Sequence, residues 1–142
     1  MKIITYPNPI LDKKAQKIKN PLDKKIQDLI PKMLETMREN NGLGLAAPQI
    51  GESIQLCTIE HQGQVFVLIN PKITAHSKEI NHSEEGCLSF PKKFIPVDRF
   101  ESVQVRCLNE KGEKCKIKAR GLLSRAFQHE IDHLAGIVFT KR

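Results

Sequence analysis

The strand-like segments of this chain come in neighbouring pairs joined by tight turns, and this pairing constrains the fold more than any other feature. Residues 53–59 and 65–69 are predicted to form one hairpin, and residues 102–108 and 113–119 a second. Hairpins give antiparallel strands, because parallel strands need a long crossover connection. We therefore expect an α+β fold in a single domain, with mostly antiparallel sheets packed around a central helix.

Two segments, one before and one after the strands, have the spacing of apolar residues that favours a helix. The first runs from Leu22 to about Asn40, and Pro31 within it is expected to kink or restart the helix. A glycine-rich turn follows at residues 42–49. The second helix is predicted to begin near Gly121, with Gly136 as its C-terminal cap.

The size and hydropathy of the chain are those of one soluble domain. Its 142 residues are enough to bury a core, so we expect residues 1–142 to form a single domain. The longest apolar run, Val65–Ile69, is far too short to span a membrane, and residues 1–7 have no apolar stretch typical of a secretory signal. We expect a cytoplasmic protein without a membrane partner.

The net charge of +7 leaves two interpretations open, a solvated basic surface or a nucleic-acid site. Acidic residues are interspersed with the basic ones, and the chain has one tyrosine and no tryptophan to stack on bases. These features favour the solvated surface, and no specific binding of DNA is expected. The densest basic group comprises Lys13, Lys14, Lys17, Lys19, Lys24 and Lys25.

Three of the four cysteines are predicted to be core residues. Cys57, Cys107 and Cys115 lie in segments of alternating polarity, on the apolar side of predicted strands. Cys87 differs, because it follows Gly86 in a segment without that alternation. A glycine beside it permits a close approach of the backbone or an unusual dihedral angle.

The last predicted helix carries His129-Glu-Ile-Asp-His133. Two histidines at i and i+4 project from one helix face, where both imidazoles can bind one metal ion. Glu130, next to the first histidine, can reach a metal-bound water as a general base. The alternative is a polar helix edge with two surface histidines.

A catalytic metal site needs a third protein ligand and one open position. The candidates are His61, His76, His82 and Cys87. The three histidines lie in a turn or in polar stretches, which favours surface positions for them. Cys87 is the preferred candidate because a thiolate is a strong, charged ligand, although a small core residue is the alternative. These residues together predict a small metal-dependent hydrolase.

Three motifs resemble those of one family, the peptide deformylases. Residues 42–49, Gly-Leu-Gly-Leu-Ala-Ala-Pro-Gln, resemble its Gly-x-Gly-Leu-Ala-Ala-x-Gln motif. Residues 85–89 are similar to its Glu-Gly-Cys-Leu-Ser motif, and residues 128–134 to its Gln-His-Glu-x-Asp-His-Leu motif. All three are complete and occur in the family's order. The resemblance implies one deformylase-like catalytic domain over residues 1–142 that removes the N-formyl group from the formylmethionine of nascent polypeptides and releases formate.

The resemblance also assigns roles to individual residues. It makes Cys87, His129 and His133 the metal ligands and Glu130 the acid and base. It implies iron(II) as the usual native metal, with zinc, nickel or cobalt in purified members. The oxygen of the formyl group is assigned to the Gln49 side chain and the Leu88 N–H, the methionine side chain to Leu43, Leu122 and Ala126, and close passage of the substrate backbone to Gly44. Any of the apolar residues could equally be plain core.

The chain departs from the family pattern in two places. Residues 92–99 do not align cleanly, and we assign them no role. The sequence stops at Lys141-Arg142, where many bacterial members continue into a C-terminal helix that contacts the ribosome. We therefore expect a short form, of bacterial or viral source with an organellar one left open, in which charge alone would favour contact with the ribosome surface.

Two further functions compete with this hypothesis. A zinc peptidase shares His-Glu-x-x-His, but the motifs around Gln49 and Cys87 count against it. A catalytically idle metal-binding module associated with the ribosome is the other, and no site residue has been replaced to support it.

Overall fold

The computed structural model describes all 142 residues, in which one α-helix precedes a set of seven strands and a second α-helix follows it. The elements, in chain order, are α1 (Lys24–Glu39), β1 (Gly44–Ala46), β2 (Leu56–His61), β3 (Gln64–His76), β4 (Ile80–Cys87), β5 (Phe90–Phe100), β6 (Ser102–Leu108), β7 (Lys114–Arg120) and α2 (Gly121–Leu134). Short 3-10 helices lie at Pro9–Asp12, Ala47–Ile50 and Phe139–Lys141.

The strands form two antiparallel sheets. One has five strands in the order β1-β2-β3-β6-β7, and the other is the hairpin β4-β5. Both predicted hairpins, β2-β3 and β6-β7, are present. The expectation of an α+β fold with antiparallel sheets around a helix is therefore confirmed. Neither helix has the length and apolar composition needed to cross a bilayer.

Helix α1 is continuous through Pro31, so the predicted restart of the helix is wrong. Asp23 caps its first turn by accepting a hydrogen bond from the Lys25 N–H, and the chain turns away at Asn41, which has a φ of 55°. Pro31 is exposed, whereas Met33 and Met37 on the opposite side are fully buried. Burial of this apolar face outweighs the one hydrogen bond that the proline removes.

Three strands lie outside the predicted ones. The supposed glycine-rich turn at residues 42–49 contains β1, which pairs with β2 and leads into a 3-10 helix. Strands β4 and β5 form a long hairpin in which most side chains are exposed. Its sequence hides the pattern, because the buried positions of the hairpin include the charged side chains of Glu85 and Arg99 beside the apolar Val97.

Helix α2 occupies the centre of the molecule. Its apolar side chains, including Phe127 and Leu134, pack on the five-stranded sheet against residues such as Val105. Its polar side chains contact β5, where Gln128 binds both backbone groups of Phe100. Gly136, with a φ of 77°, follows the helix as predicted. Helix α1 packs on the opposite face of the same sheet, over β1–β3.

Candidate metal centre and active site

Cys87, His129 and His133 come together in one cluster. Their ligand atoms all lie within 4.8 Å of one another, and Cys87 Sγ is 3.3 Å from His133 Nε2. His129 and His133 are buried on α2, and their ring centroids are 5.0 Å apart. The structure thus brings together the three residues that the sequence analysis proposed as ligands.

Local backbone geometry places the thiol opposite the helix. Cys87 is the last residue of β4, and the register of the β4-β5 pair shifts between Gly86 and Cys87. This irregularity redirects the strand end towards α2. Gly86 leaves room for the ring of Phe94, since a Cβ on Gly86 would lie 2.6 Å from that ring. The glycine beside the cysteine therefore serves close packing.

The three side chains fit a divalent metal ion. Ordinary Zn–S and Zn–N bonds in a tetrahedral site would place sulfur and nitrogen about 3.6 Å apart, close to the observed separation. One thiolate and two imidazoles are donors that suit iron or zinc. Two buried polar atoms, Glu130 Oε1 and His133 Nδ1, have no hydrogen-bond partner, so the cluster is not a closed network of its own.

Glu130 lies against the cluster and against β1. It is buried, and a Cβ on Gly44 would come within 2.7 Å of its Oε2 atom. Only glycine at position 44 leaves space for this carboxylate. Gly44 of the first motif and Glu130 of the third motif are therefore in contact, although they are far apart in the sequence.

Burial controls the protonation of this centre. Burial raises the pKa of Glu130 to about 7, which makes it able to exchange a proton near neutrality. Burial lowers the pKa of His129, but the charges of Glu130, Cys87 and Glu85 outweigh it and raise the pKa to about 10. Burial and the charge of His129 lower the pKa of His133. Binding of a cation would release the proton of His129.

A buried ionic network holds His129 from behind. Glu85 Oε1 lies 3.0 Å from His129 Nδ1, which leaves Nε2 as the nitrogen available to a metal. Arg99 donates to Glu85 and to Asp132, and Arg142 also donates to Asp132. Burial raises the pKa of Glu85, but His129 and Arg99 outweigh this and lower it overall. The network thus fixes an ionised acceptor for the histidine.

Two hydrogen-bond donors lie next to Cys87, one by contact and one by sequence. Gln49 is buried; its Oε1 accepts from the Ala46 N–H, and its Nε2 donates to Ser89 Oγ and, over 3.7 Å, to Cys87 Sγ. The N–H of Leu88 has no hydrogen-bond partner within the chain. Gln49 contacts the Cys87 thiol and Leu88 follows Cys87 in the chain, so both are close to a molecule that would bind at the cluster.

The site opens into a cavity of about 510 Å³. Its lining includes nine of the ten residues that the sequence analysis named: Leu43, Gly44, Gln49, Cys87, Leu88, Leu122, Ala126, His129 and Glu130. The tenth, His133, is fully buried behind Cys87. Leu122 is 55% exposed at the mouth, whereas Ala126 is buried.

The other histidines and cysteines do not join the cluster. His76 and His82 are exposed as predicted, and His82 pairs with Asp98, whereas His61 is half-buried at the end of β2. All four cysteines are free. Cys57 and Cys107 are buried in the core as predicted, and Cys115 packs against it half-buried.

Sequence reasoning missed what residues 92–99 contribute. Lys92, Lys93 and Phe94 line the cavity, and Arg99 is the centre of the ionic network. Glu85 and Asp132 both belong to the motifs quoted above but received no role. Two such carboxylates in the sequence could have indicated a buried cation that pairs with them. Their partner was unpredictable, because Arg99 is brought to them by a hairpin that the sequence pattern did not reveal.

Comparisons with known proteins agree with this arrangement. The family model of polypeptide deformylase matches residues 1–142. A peptide deformylase of Natranaerobius thermophilus is 45% identical over 142 residues, covering 99% of this chain and 90% of that protein. The crystal structure of peptide deformylase from Thermotoga maritima superposes with a TM-score of 0.96 at 35% identity, covering 99% of this chain and 95% of the other.

A second solved structure, a peptide deformylase from Synechococcus elongatus in complex with actinonin, has a TM-score of 0.96 at 37% identity. It covers 100% of this chain and 78% of the other. The family match extends over the whole described chain, and the motifs that form the site lie inside it. The chain therefore belongs to the polypeptide deformylase family.

Proposed function

We propose that this protein hydrolyses the formamide bond of N-formylmethionyl peptides, with residues 1–142 acting as one catalytic domain. The observation that carries the proposal is the position of the buried Glu130 carboxylate beside the Cys87, His129 and His133 cluster, at the base of an open cavity. Membership of the family supports the same reaction. Neither the peptidase nor the idle module finds support among the relatives, which are named peptide deformylases.

Cys87, His129 and His133 would hold one divalent metal ion. When bound, such an ion lowers the pKa of water and polarises a carbonyl group. Glu130 takes the proton of the attacking water, since its pKa of about 7 lets it accept and release a proton near neutrality. The same carboxyl group then delivers that proton to the amide nitrogen that leaves.

Gln49 and Leu88 would stabilise the negative charge that develops on the formyl oxygen. The Leu88 N–H is unpaired and needs no rearrangement. The Gln49 amide keeps its short bonds to Ala46 and Ser89, and the N–H on its long contact with Cys87 would donate to the oxygen in place of that weak contact. The Gln49 amide is held in place before the substrate arrives, so little reorganisation of this donor is needed.

The apolar part of the cavity suits the methionine side chain. Leu43, Leu122 and Ala126 are among the apolar residues that line the cavity, and a thioether gains from contact with apolar groups. Gly44 presents backbone without a side chain, which allows a peptide to lie close to β1. A formyl group carries only hydrogen on its carbon, so a narrow base of the cavity would admit it and exclude larger acyl groups.

The proposed substrate indicates where in the cell the protein works. Formylmethionyl chains emerge during translation, so we place the protein in the cytoplasm, in contact with nascent peptides and the ribosome surface. For the native metal we propose iron(II), with zinc, nickel or cobalt as replacements, because the mixed sulfur and nitrogen ligands suit all four ions.

Replacing Glu130 with Gln tests the proton transfer. The amide has nearly the same shape but cannot accept the proton, so kcat/KM for formyl-Met-Ala-Ser should fall by about 10² to 10⁴ while metal content is retained. Glu35→Gln, an exposed change on α1, is the matched control and should leave turnover unaltered. Unchanged turnover in Glu130→Gln would remove this residue from the mechanism.

Replacing Glu85 with Gln tests the network behind His129. The variant keeps an oxygen near Nδ1 but removes the negative charge, and we expect metal affinity to drop by about 10- to 100-fold. Competition with a chromophoric chelator measures this directly. Asp98→Asn, on the exposed part of the same hairpin, is the control. Equal affinity in Glu85→Gln and the wild type would show that the charge of Glu85 does not support the ligand.

The identity of the metal predicts sensitivity to oxygen. Iron(II) bound through the Cys87 thiolate exposes an oxidisable metal and sulfur, so activity should decay faster in air than under argon. Zinc-loaded protein provides the comparison, because zinc has no accessible redox change. Equal half-lives in air and argon for the protein as isolated would contradict iron(II).

A further inference from the structure

The outer side of strands β6 and β7 is strongly basic. Helix α1 covers this side of the five-stranded sheet over β1–β3, where Leu45, Leu56 and Ile69 pack beneath it, but leaves β6 and β7 uncovered. Alternate residues of β7 are exposed and charged, β6 adds one such residue in Arg106, and the residues between them point towards the core. We call the following six residues the basic sheet face: Lys72, Arg106, Lys114, Lys116, Lys118 and Arg120.

The register of the sheet places like charges side by side. Lys72 lies opposite Arg106, and Arg106 lies opposite Lys116, so one row of three cations crosses three strands. Lys118 and Arg120 extend the face beside uncharged partners, Gln104 and Ser102. Like charges directly opposite each other on a sheet are destabilising. This arrangement therefore costs folding stability unless something outside the chain offsets it.

No carboxylate of the chain neutralises this face. None of its six residues forms an ion pair, although ten ion pairs are present elsewhere in the structure. The acidic residues at the ends of the strands bind other groups: Glu101 accepts from the Gly121 N–H, and Glu113 accepts from Asn109. The positive potential is therefore available to an external anion.

The geometry of the face indicates a polymer of phosphates. Successive exposed residues along a strand are about 7 Å apart, comparable to the spacing of phosphates along a nucleic-acid strand. The exposed aromatic side chains, Tyr6 and Phe94, lie elsewhere, so the face has nothing to stack on bases. No large exposed apolar side chain belongs to it either, and insertion into a lipid surface would require one.

We propose that the basic sheet face binds the phosphate backbone of double-stranded RNA without reading its sequence. The choice of RNA rests on the proposed function, since nascent formylated chains arise beside structured RNA. The cavity lies on the α2 side of the sheet, formed by β1, the β4-β5 hairpin and α2. RNA on the opposite side thus leaves the cavity open to a peptide.

The test compares two variants with the same change of net charge. One carries Arg106→Gln, Lys116→Gln and Lys118→Gln on the face, and the other Lys13→Gln, Lys14→Gln and Lys17→Gln on the exposed N-terminal segment. The probe is a fluorescently labelled RNA duplex, with affinity measured by anisotropy over a series of KCl concentrations. Vesicles containing phosphatidylglycerol serve as a second anionic probe.

The face variant should bind the duplex at least about tenfold more weakly, and the slope of log Kd against log salt should fall by roughly 0.9 per lost contact. The N-terminal variant should retain most of the affinity. Removal of opposed charges should leave the melting temperature of the face variant equal to or above that of the wild type. Deformylation of formyl-Met-Ala-Ser should be unchanged in both, which separates this result from the proposed function.

Three results would overturn the proposal. Equal loss of affinity in the two variants would show that net charge alone is responsible. No binding of the duplex by the wild type at low salt would show that the face is only solvated. Tighter, face-dependent binding to the vesicles than to the duplex would assign the face to a membrane surface.

Discussion

A charged helix lies at the centre of this protein, and its burial requires a partner for nearly every polar side chain that it carries. Seven polar or charged residues of α2 are buried: Ser124, Arg125, Gln128, His129, Glu130, Asp132 and His133. The surrounding strands satisfy most of them. Val97 accepts from Arg125, Phe100 exchanges hydrogen bonds with Gln128, and Arg99 binds Asp132. An unpaired polar group in such a core would cost about 1 to 3 kcal/mol.

The few polar atoms of α2 without partners lie where the chemistry is proposed. Glu130 Oε1 is buried and unbonded beside the cluster, and His133 Nδ1 is unbonded on the ring whose Nε2 lies against Cys87. The rest of the helix is held by hydrogen bonds from Arg125 and Gln128 to β5, and these bonds position the two imidazoles. A fixed scaffold around a small unsatisfied centre is what preorganised catalysis requires.

Much of this arrangement could be predicted from local sequence. The alternating residues of β6 and β7, the helical spacing of α2 and the position of Gly136 follow from short-range patterns. The candidate site followed from three motifs. The β4-β5 hairpin was not predicted because its buried positions include the charged residues Glu85 and Arg99, which break the apolar alternation. Pro31 misled the analysis because the burial of α1 depends on residues distant in sequence.

The two sides of the five-stranded sheet differ in whether their polar side chains have partners within the chain. On the α2 side, most buried polar side chains of the helix have hydrogen-bond partners on β5. On the other side α1 stops short, and the charges of β6 and β7 are left without partners. The alternation of lysines along β7 is visible in the sequence, but its alignment with Arg106 and Lys72 depends on strand register. The densest basic group along the sequence is a different one, near the N-terminus.

The central claim is that the Cys87, His129 and His133 centre deformylates peptides, and release of formate tests it most directly. Anaerobically prepared protein with one equivalent of iron(II) should release formate from formyl-Met-Ala-Ser, and the metal-free protein should not. Acetyl-Met-Ala-Ser serves as the matched peptide and should be left intact. Absence of formate from protein shown to hold its metal, or equal release by the metal-free protein, would contradict the account.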